Sequence, residues 1–415
     1  MPDKPLKVAL IVGEESGDQL GAGLIDAIRA RDFQVQFIGV AGERMIARGM
    51  PTMFPVADVS VMGVAAVIGR LPKILRHIRN TAREIVAARP DILVIIDSPG
   101  FTHSVAKKVA RQLPDLPIVD YVSPSVWAWK PWRARRMAAI MDHVLALLPF
   151  EPAVHERLGG PPCTYVGHPL IERLDDLRPD PGERPPLSSE PTLLVLPGSR
   201  KSEIRRLMAP FGTAVAELAA ARARDGLTDV NIVLPAVAHL SDEIAERAAT
   251  WPVKAEIVVG EAAKFAAFRS AHAALAASGT VTLELALSGV PMVVAYRVEI
   301  LARMLKWLVK VPSIVLTNLV IGENVVPEFI DDDGSPEVLA RELAPLLDET
   351  EARARQLAGF ARLDSLMTLP DGITPSEKAA SIVLDLAAGG GADASVGGAG
   401  AAVDGDLQPR LDSGT

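Results

Sequence analysis

The chain has 415 residues, a net charge of −8 and 49% hydrophobic residues, enough for two or three domains with large cores. The acidic balance argues against wholesale nucleic-acid binding, and the single cysteine, Cys163, excludes an intrachain disulfide and fits a reducing compartment. The first apolar stretch is too short for a secretory leader, and no uncharged apolar run reaches the roughly 20 residues of a spanning helix without Gly or Pro breaking it.

The amino-terminal half alternates short apolar runs with helical segments. The runs are 7–13, 35–42, 91–100, 117–124 and 143–149. Near-continuous apolar strands between amphipathic helices predict a parallel sheet covered on both faces. The first strand runs into "GEESGDQLGAG" (13–23), which lacks G-x-G-x-x-G spacing. Glu14, Glu15 and Asp18 stand where a pyrophosphate would sit, and carboxylates there repel phosphate, so the loop suits sugar hydroxyls or simple helix-start chemistry. Residues 63–79, "GVAAVIGRLPKILRHIR", set Arg70, Lys73, Arg76 and Arg79 beside a Val/Ile/Leu face. The third strand ends in "IIDSPGF", with Asp97 at its tip: a proton acceptor, or a cap on turn amides.

Residues 122–136, "VSPSVWAWKPWRARR", gather Trp127, Trp129 and Trp132 with four basic residues in an aromatic-poor chain. Rings with interleaved cations suit a membrane interface; the alternative is a core-facing segment with a solvated basic edge. His168 reads as a structural imidazole near the hinge. Residues 174–191 hold five prolines, charges and serines and form the linker candidate.

The second half restarts the alternation at 192–200, 230–237, 255–260, 273–279 and 290–296. "LPGSRKSE" supplies Gly198 for close backbone approach, Ser199, and Arg200 as a fork for phosphate oxygens. "ASGTVTLE" places Ser278, Gly279 and Thr280 at a helix start, with Glu284 one turn in to take a pair of ribose hydroxyls. Together they suggest a nucleoside diphosphate on this half. Residues 300–310, "ILARMLKWLVK", form a third basic apolar segment, with Trp307. From Gly389 onward the tail is Gly/Ala/Asp-rich and is expected to be disordered.

These motifs, with "VAGERM", "VMG", "LPFE", "VGHP" and "PMVVAYR", make the chain resemble the lipid A disaccharide synthases, family-19 glycosyltransferases of the GT-B type, from residue 6 to about 388. The resemblance implies an α/β fold of two Rossmann-like doubly wound domains facing a central cleft. Expected boundaries are 1–173 for the acceptor side, 174–191 for the linker and 192–365 for the nucleotide-sugar side. A helix at 366–388 returns to the first domain, and 389–415 is the tail.

The implied activity is a metal-independent, inverting transfer without cofactor. UDP-2,3-diacylglucosamine reacts with 2,3-diacylglucosamine 1-phosphate (lipid X) to give the β-1,6 disaccharide and UDP. By match to the family, Asp97 is the general base and Glu14 and Asp18 form the acidic loop. Arg200 is the phosphate-side arginine; Ser278, Gly279, Thr280 and Glu284 form the UDP site; Asn318 is a functional asparagine. The family usually reads D-x-P-D-F at the third strand, and here the second acid is Gly100. The implied location is the cytoplasmic face of the inner membrane, on anionic lipid, with no nucleic acid and a homodimer left open. Two rivals remain at this stage: a UDP-N-acetylglucosamine 2-epimerase, and a non-catalytic UDP-sugar or lipid-binding protein.

Overall fold

A computed structural model describes residues 5–31, 34–60, 64–297 and 312–389. Trp307 with the segment 300–310, residues 61–63 of "VMG" and the tail from 390 lie outside the described residues.

Each half of the chain builds a six-stranded parallel sheet among the described residues. In the first, β1 to β6 are Leu6–Val12, Val35–Val40, Ile92–Ile96, Ile118–Tyr121, His143–Ala146 and Cys163–Tyr165, ordered β2-β1-β3-β4-β5-β6. In the second, β7 to β12 are Thr192–Leu196, Asn231–Ala236, Glu256–Val259, Ala273–Ala276, Met292–Tyr296 and Glu328–Ile330, ordered β12-β11-β10-β7-β8-β9. This is the expected pair of doubly wound α/β halves. Val8–Val12 and Ile92–Ile96 have no exposed surface, because helices cover both faces of the sheet. Burying each such side chain stabilises the fold by about 1.5–3 kcal/mol. Edge strands β6 and β12 went unseen in the sequence. Three half-buried residues apiece are too few to show a period.

The chain does not stay in one half. The helix Pro375–Ala387 packs Ala379, Ala380, Val383 and Leu384 into the first core, against Leu24, Ile25 and Ile28. Thr374 and Glu377 close its start as a capping box.

The proline-rich stretch lies strapped to the second half. Arg184 donates to the carbonyls of Phe268 and Arg269 at 3.3 and 3.2 Å, and to those of Ser288 and Gly289 at 2.7 and 2.8 Å. These carbonyls terminate two helices, where acceptors lack intrahelical partners and the dipole favours a cation. Arg184→Met should lower unfolding free energy by about 2–4 kcal/mol, read as a fall in the urea midpoint, since four acceptors lose a charged donor at once.

Candidate active site

A doubly wound sheet leaves a crevice beyond its strand ends at the point where strand order reverses. The first sheet reverses between β1 and β3, the second between β7 and β10. The four loops leaving those strands hold Glu14, Asp97, Gly198–Arg200 and Ser278–Thr280. Sequence position alone does not show that these loops are neighbours; the strand order makes them so.

In the second half a cleft of about 800 Å³ is lined by Gly198, Ser199, Arg200, Ser278, Gly279, Thr280 and Glu284. All seven were expected there. Gly198 has φ +109, and a β-carbon would collide with the Glu203 carboxylate. That carboxylate accepts the amides of Ser199 at 3.1 Å and Arg200 at 3.2 Å. These two loop amides are therefore already engaged.

The Arg200 side chain itself stays 60% exposed, 3.8 Å from Glu203. Among the described residues the amides of 278–280 have no acceptor, while Ser278 Oγ donates to the Ile314 carbonyl at 2.7 Å and fixes the loop. Glu284 pairs with Lys264 Nζ through both oxygens, at 3.1 and 3.0 Å. Lys264 lines the cleft and was missed. It sits in "EAAKFAAFRS", a helix with no motif around it.

Across from this cleft, β3 ends in strain. Asp97 and Ser98 have φ of +55 and +47, a conformation costing non-glycine residues about 1–3 kcal/mol each. It is held from several sides. Asp97 N–H donates to the Tyr121 carbonyl at 3.1 Å, and Thr102 Oγ1 donates to the Asp97 carbonyl at 2.7 Å. The carboxylate accepts Ser98 N–H at 2.6 Å and Ser16 Oγ at 2.7 Å. Asp97 thus caps its own turn and still stands half-buried at the strand tip. Glu14 occupies the N-cap position of the helix Glu15–Arg29. Burial raises its pKa, the Asp97 charge raises it further, and Arg200 opposes both. Arg200 therefore lies within Coulombic reach of the acidic loop of the other half.

Several expected residues have other tasks. Asp18 is buried, and its carboxylate accepts the amides of Arg44 (2.8 Å) and Met45 (3.1 Å), fixing the helix Glu43–Ala47. Asn318 is buried outside the cleft lining. Its amide donates to the Val326 carbonyl, and its oxygen accepts Val326 N–H, both at 2.9 Å. His168 caps a turn through Leu170 N–H at 3.2 Å, with burial lowering its pKa to about 4.

Trp127 corrects the membrane reading. Its ring packs against the cores of both halves and edge-on to Phe150, and Nε1 donates to buried Glu151 at 3.3 Å. Trp129 is half-buried, with the Lys130 ammonium 5.2 Å from its ring centroid. Trp132 is 50% exposed, with the Arg136 guanidinium 4.3 Å from its ring centroid. Arg70 is exposed, and Lys73 is exposed but paired with Asp58.

The fold defines a GT-B architecture. It is shared, at 14% identity and TM-score 0.56, with MurG of Acinetobacter baumannii, covering 92% of this chain and all of that one. It is shared too, at 11% and 0.55, with the UDP-GlcNAc 2-epimerase of Neisseria meningitidis, covering 92% and 99%. Fold alone does not choose between transfer and epimerisation. The chain belongs to the lipid-A-disaccharide synthetase family, whose model matches residues 8–368. The lipid-A-disaccharide synthase of Bradyrhizobium diazoefficiens is 54% identical over 385 residues, 92% of this chain and 97% of the relative.

The electrostatics give a signed test. Asp97→Asn should lower the pKa of Glu14 by removing a like charge, and Arg200→Gln should raise it by removing a cation. Carboxyl-carbon NMR titration reads both; shifts of the opposite sign would separate the two loops.

Proposed function

We propose that this glycosyltransferase joins UDP-2,3-diacylglucosamine to 2,3-diacylglucosamine 1-phosphate with inversion and without a metal ion, giving the β-1,6 disaccharide and UDP. The observation that carries the reading is the opposition of two unlike loops: carboxylates on β1 and β3, and Arg200 with the small-residue turn on β7 and β10. Asp97 takes the proton from the acceptor's 6-hydroxyl, and that oxygen attacks the anomeric carbon from the face opposite UDP. The bond to the diphosphate breaks as the new one forms. Arg200 and the 278–280 amides meet charge that grows on the departing phosphate, so they act on the transition state more than on the ground state. Glu284, oriented by Lys264, takes the ribose hydroxyls.

Among the described residues no three His, Cys, Asp or Glu side chains are grouped to hold an ion. Membrane contact is supported by the substrates' acyl chains and by Leu71, Leu75 and Trp132, exposed beside basic residues. No described helix is long and apolar enough to cross a bilayer.

Asp97→Asn should cut turnover at least about a hundredfold while UDP affinity stays within twofold; a variant keeping a tenth of wild-type turnover removes Asp97 as the base. The same assay with EDTA should run at an unchanged rate, and incubation with UDP-GlcNAc alone should give no epimer. Gly100 is exposed, and a β-carbon there meets nothing within 4 Å. Gly100→Asp should therefore fold normally and change turnover by less than about threefold, because the strand-tip acid is already present; a larger gain would give the second carboxylate a direct part.

A further inference from the structure

A second concentration of positive charge lies away from the cleft. The helices Val64–Ala88 and Thr102–Ala110 run side by side over the first sheet, and a hollow of about 300 Å³ opens between them. Arg79 and Arg83 line it from one helix, Lys108 and Arg111 from the other helix and its end, with Gln112 beside them. No carboxylate lines it. None of the four cations forms an ion pair among the described residues. Arg79 spends one N–H on the Leu75 carbonyl at 3.3 Å, and the other three guanidinium and ammonium groups are without described acceptors. Like charges lining one hollow repel one another. The chain as a whole is acidic, with a net charge of −8, so this is a local concentration of cations.

The neighbouring surface points to the ligand. Leu71 and Leu75 precede Arg79 and Arg83 at four-residue spacing, so they continue the same ridge of the helix. They are 44% and 46% exposed. An apolar step leading to a cationic hollow matches a lipid: acyl chains beside the leucines, headgroup phosphate among the arginines, whose planar forks take phosphate oxygens two at a time. We infer that Arg79, Arg83, Lys108 and Arg111 form a binding site for the headgroup phosphate of an anionic membrane lipid, separate from the nucleotide cleft. The site rests on the membrane-contact reading above and deepens it.

Vesicle co-sedimentation of the full chain tests it, with phosphatidylcholine alone and with phosphatidylcholine and phosphatidylglycerol at three to one. Wild type should bind the anionic vesicles about tenfold tighter or more. Arg83→Ala/Arg111→Ala should lose that preference, while Arg83→Lys/Arg111→Lys keeps part of it. Both should turn over detergent-dispersed substrate at the wild-type rate, which also shows that they fold. Leu71→Ser/Leu75→Ser should weaken binding to both vesicle types. Binding of the alanine variant equal to wild type overturns the site and leaves membrane contact standing. Displacement of wild type by millimolar inorganic phosphate, with vesicle ionic strength matched by chloride, assigns the hollow to free phosphate and overturns the lipid. Wild type that sediments with neither vesicle overturns both.

Discussion

A strand buried on both faces can offer chemistry only at its ends. From Val8 to Val12 and from Ile92 to Ile96 every position is aliphatic and shut off from solvent, so a polar side chain there would leave an unpaired buried group. Function is pushed to the carboxyl tips. Winding the chain outward in both directions then decides which tips are left uncovered: β1 with β3, and β7 with β10. The strain at Asp97 and Ser98 belongs to the same constraint. The backbone must turn sharply off a buried strand while holding a carboxylate at its tip, and the Tyr121 carbonyl and the Thr102 hydroxyl anchor that turn.

The two halves divide charge between them. One side brings Glu14 and Asp97, and burial, then the Asp97 charge, raise the pKa of Glu14; the other brings Arg200, which counters both. Within the second half, acids are used to organise cations and amides. Glu203 fastens the amides of 199 and 200, which fixes the loop and leaves the Arg200 side chain as its exposed cation. Glu284 is itself oriented by Lys264. The loop of 199 and 200 and the Glu284 carboxylate are each held by a second group behind them.

Buried polar anchors fix the connecting segments. Arg184 ties the proline-rich strap to two helix ends. Glu151, pushed by burial up to about 8, accepts Trp127 Nε1–H and Leu148 N–H, and so holds the tryptophan-rich loop against both cores. The rings in "SVWAWKPW" thus serve different ends. Trp127 is an internal wedge, Trp129 is half-covered, and Trp132 alone of these three stands largely in solvent. Val122, a β-branched residue at φ +89, starts this loop, and its amide is fixed by the Leu145 carbonyl at 3.0 Å.

The sequence by itself determined the ten longer strands, the doubly wound class, the family and seven of the residues lining the cleft of the second half. Those features are local: an apolar run, a glycine turn and a helix start each lie within a few consecutive residues. Tertiary structure alone decided the rest. Asp18 and Asn318 look like polar residues near a site, and only the packing of segments 26 and 8 positions away shows their bonds turned inward. Lys264 joins the site because its helix is laid beside Glu284, 20 residues on, and the cationic hollow exists because two helices of the first half are pressed together. A motif records what a residue can do. Which of its neighbours it meets depends on how distant segments pack, and no short window of sequence contains that.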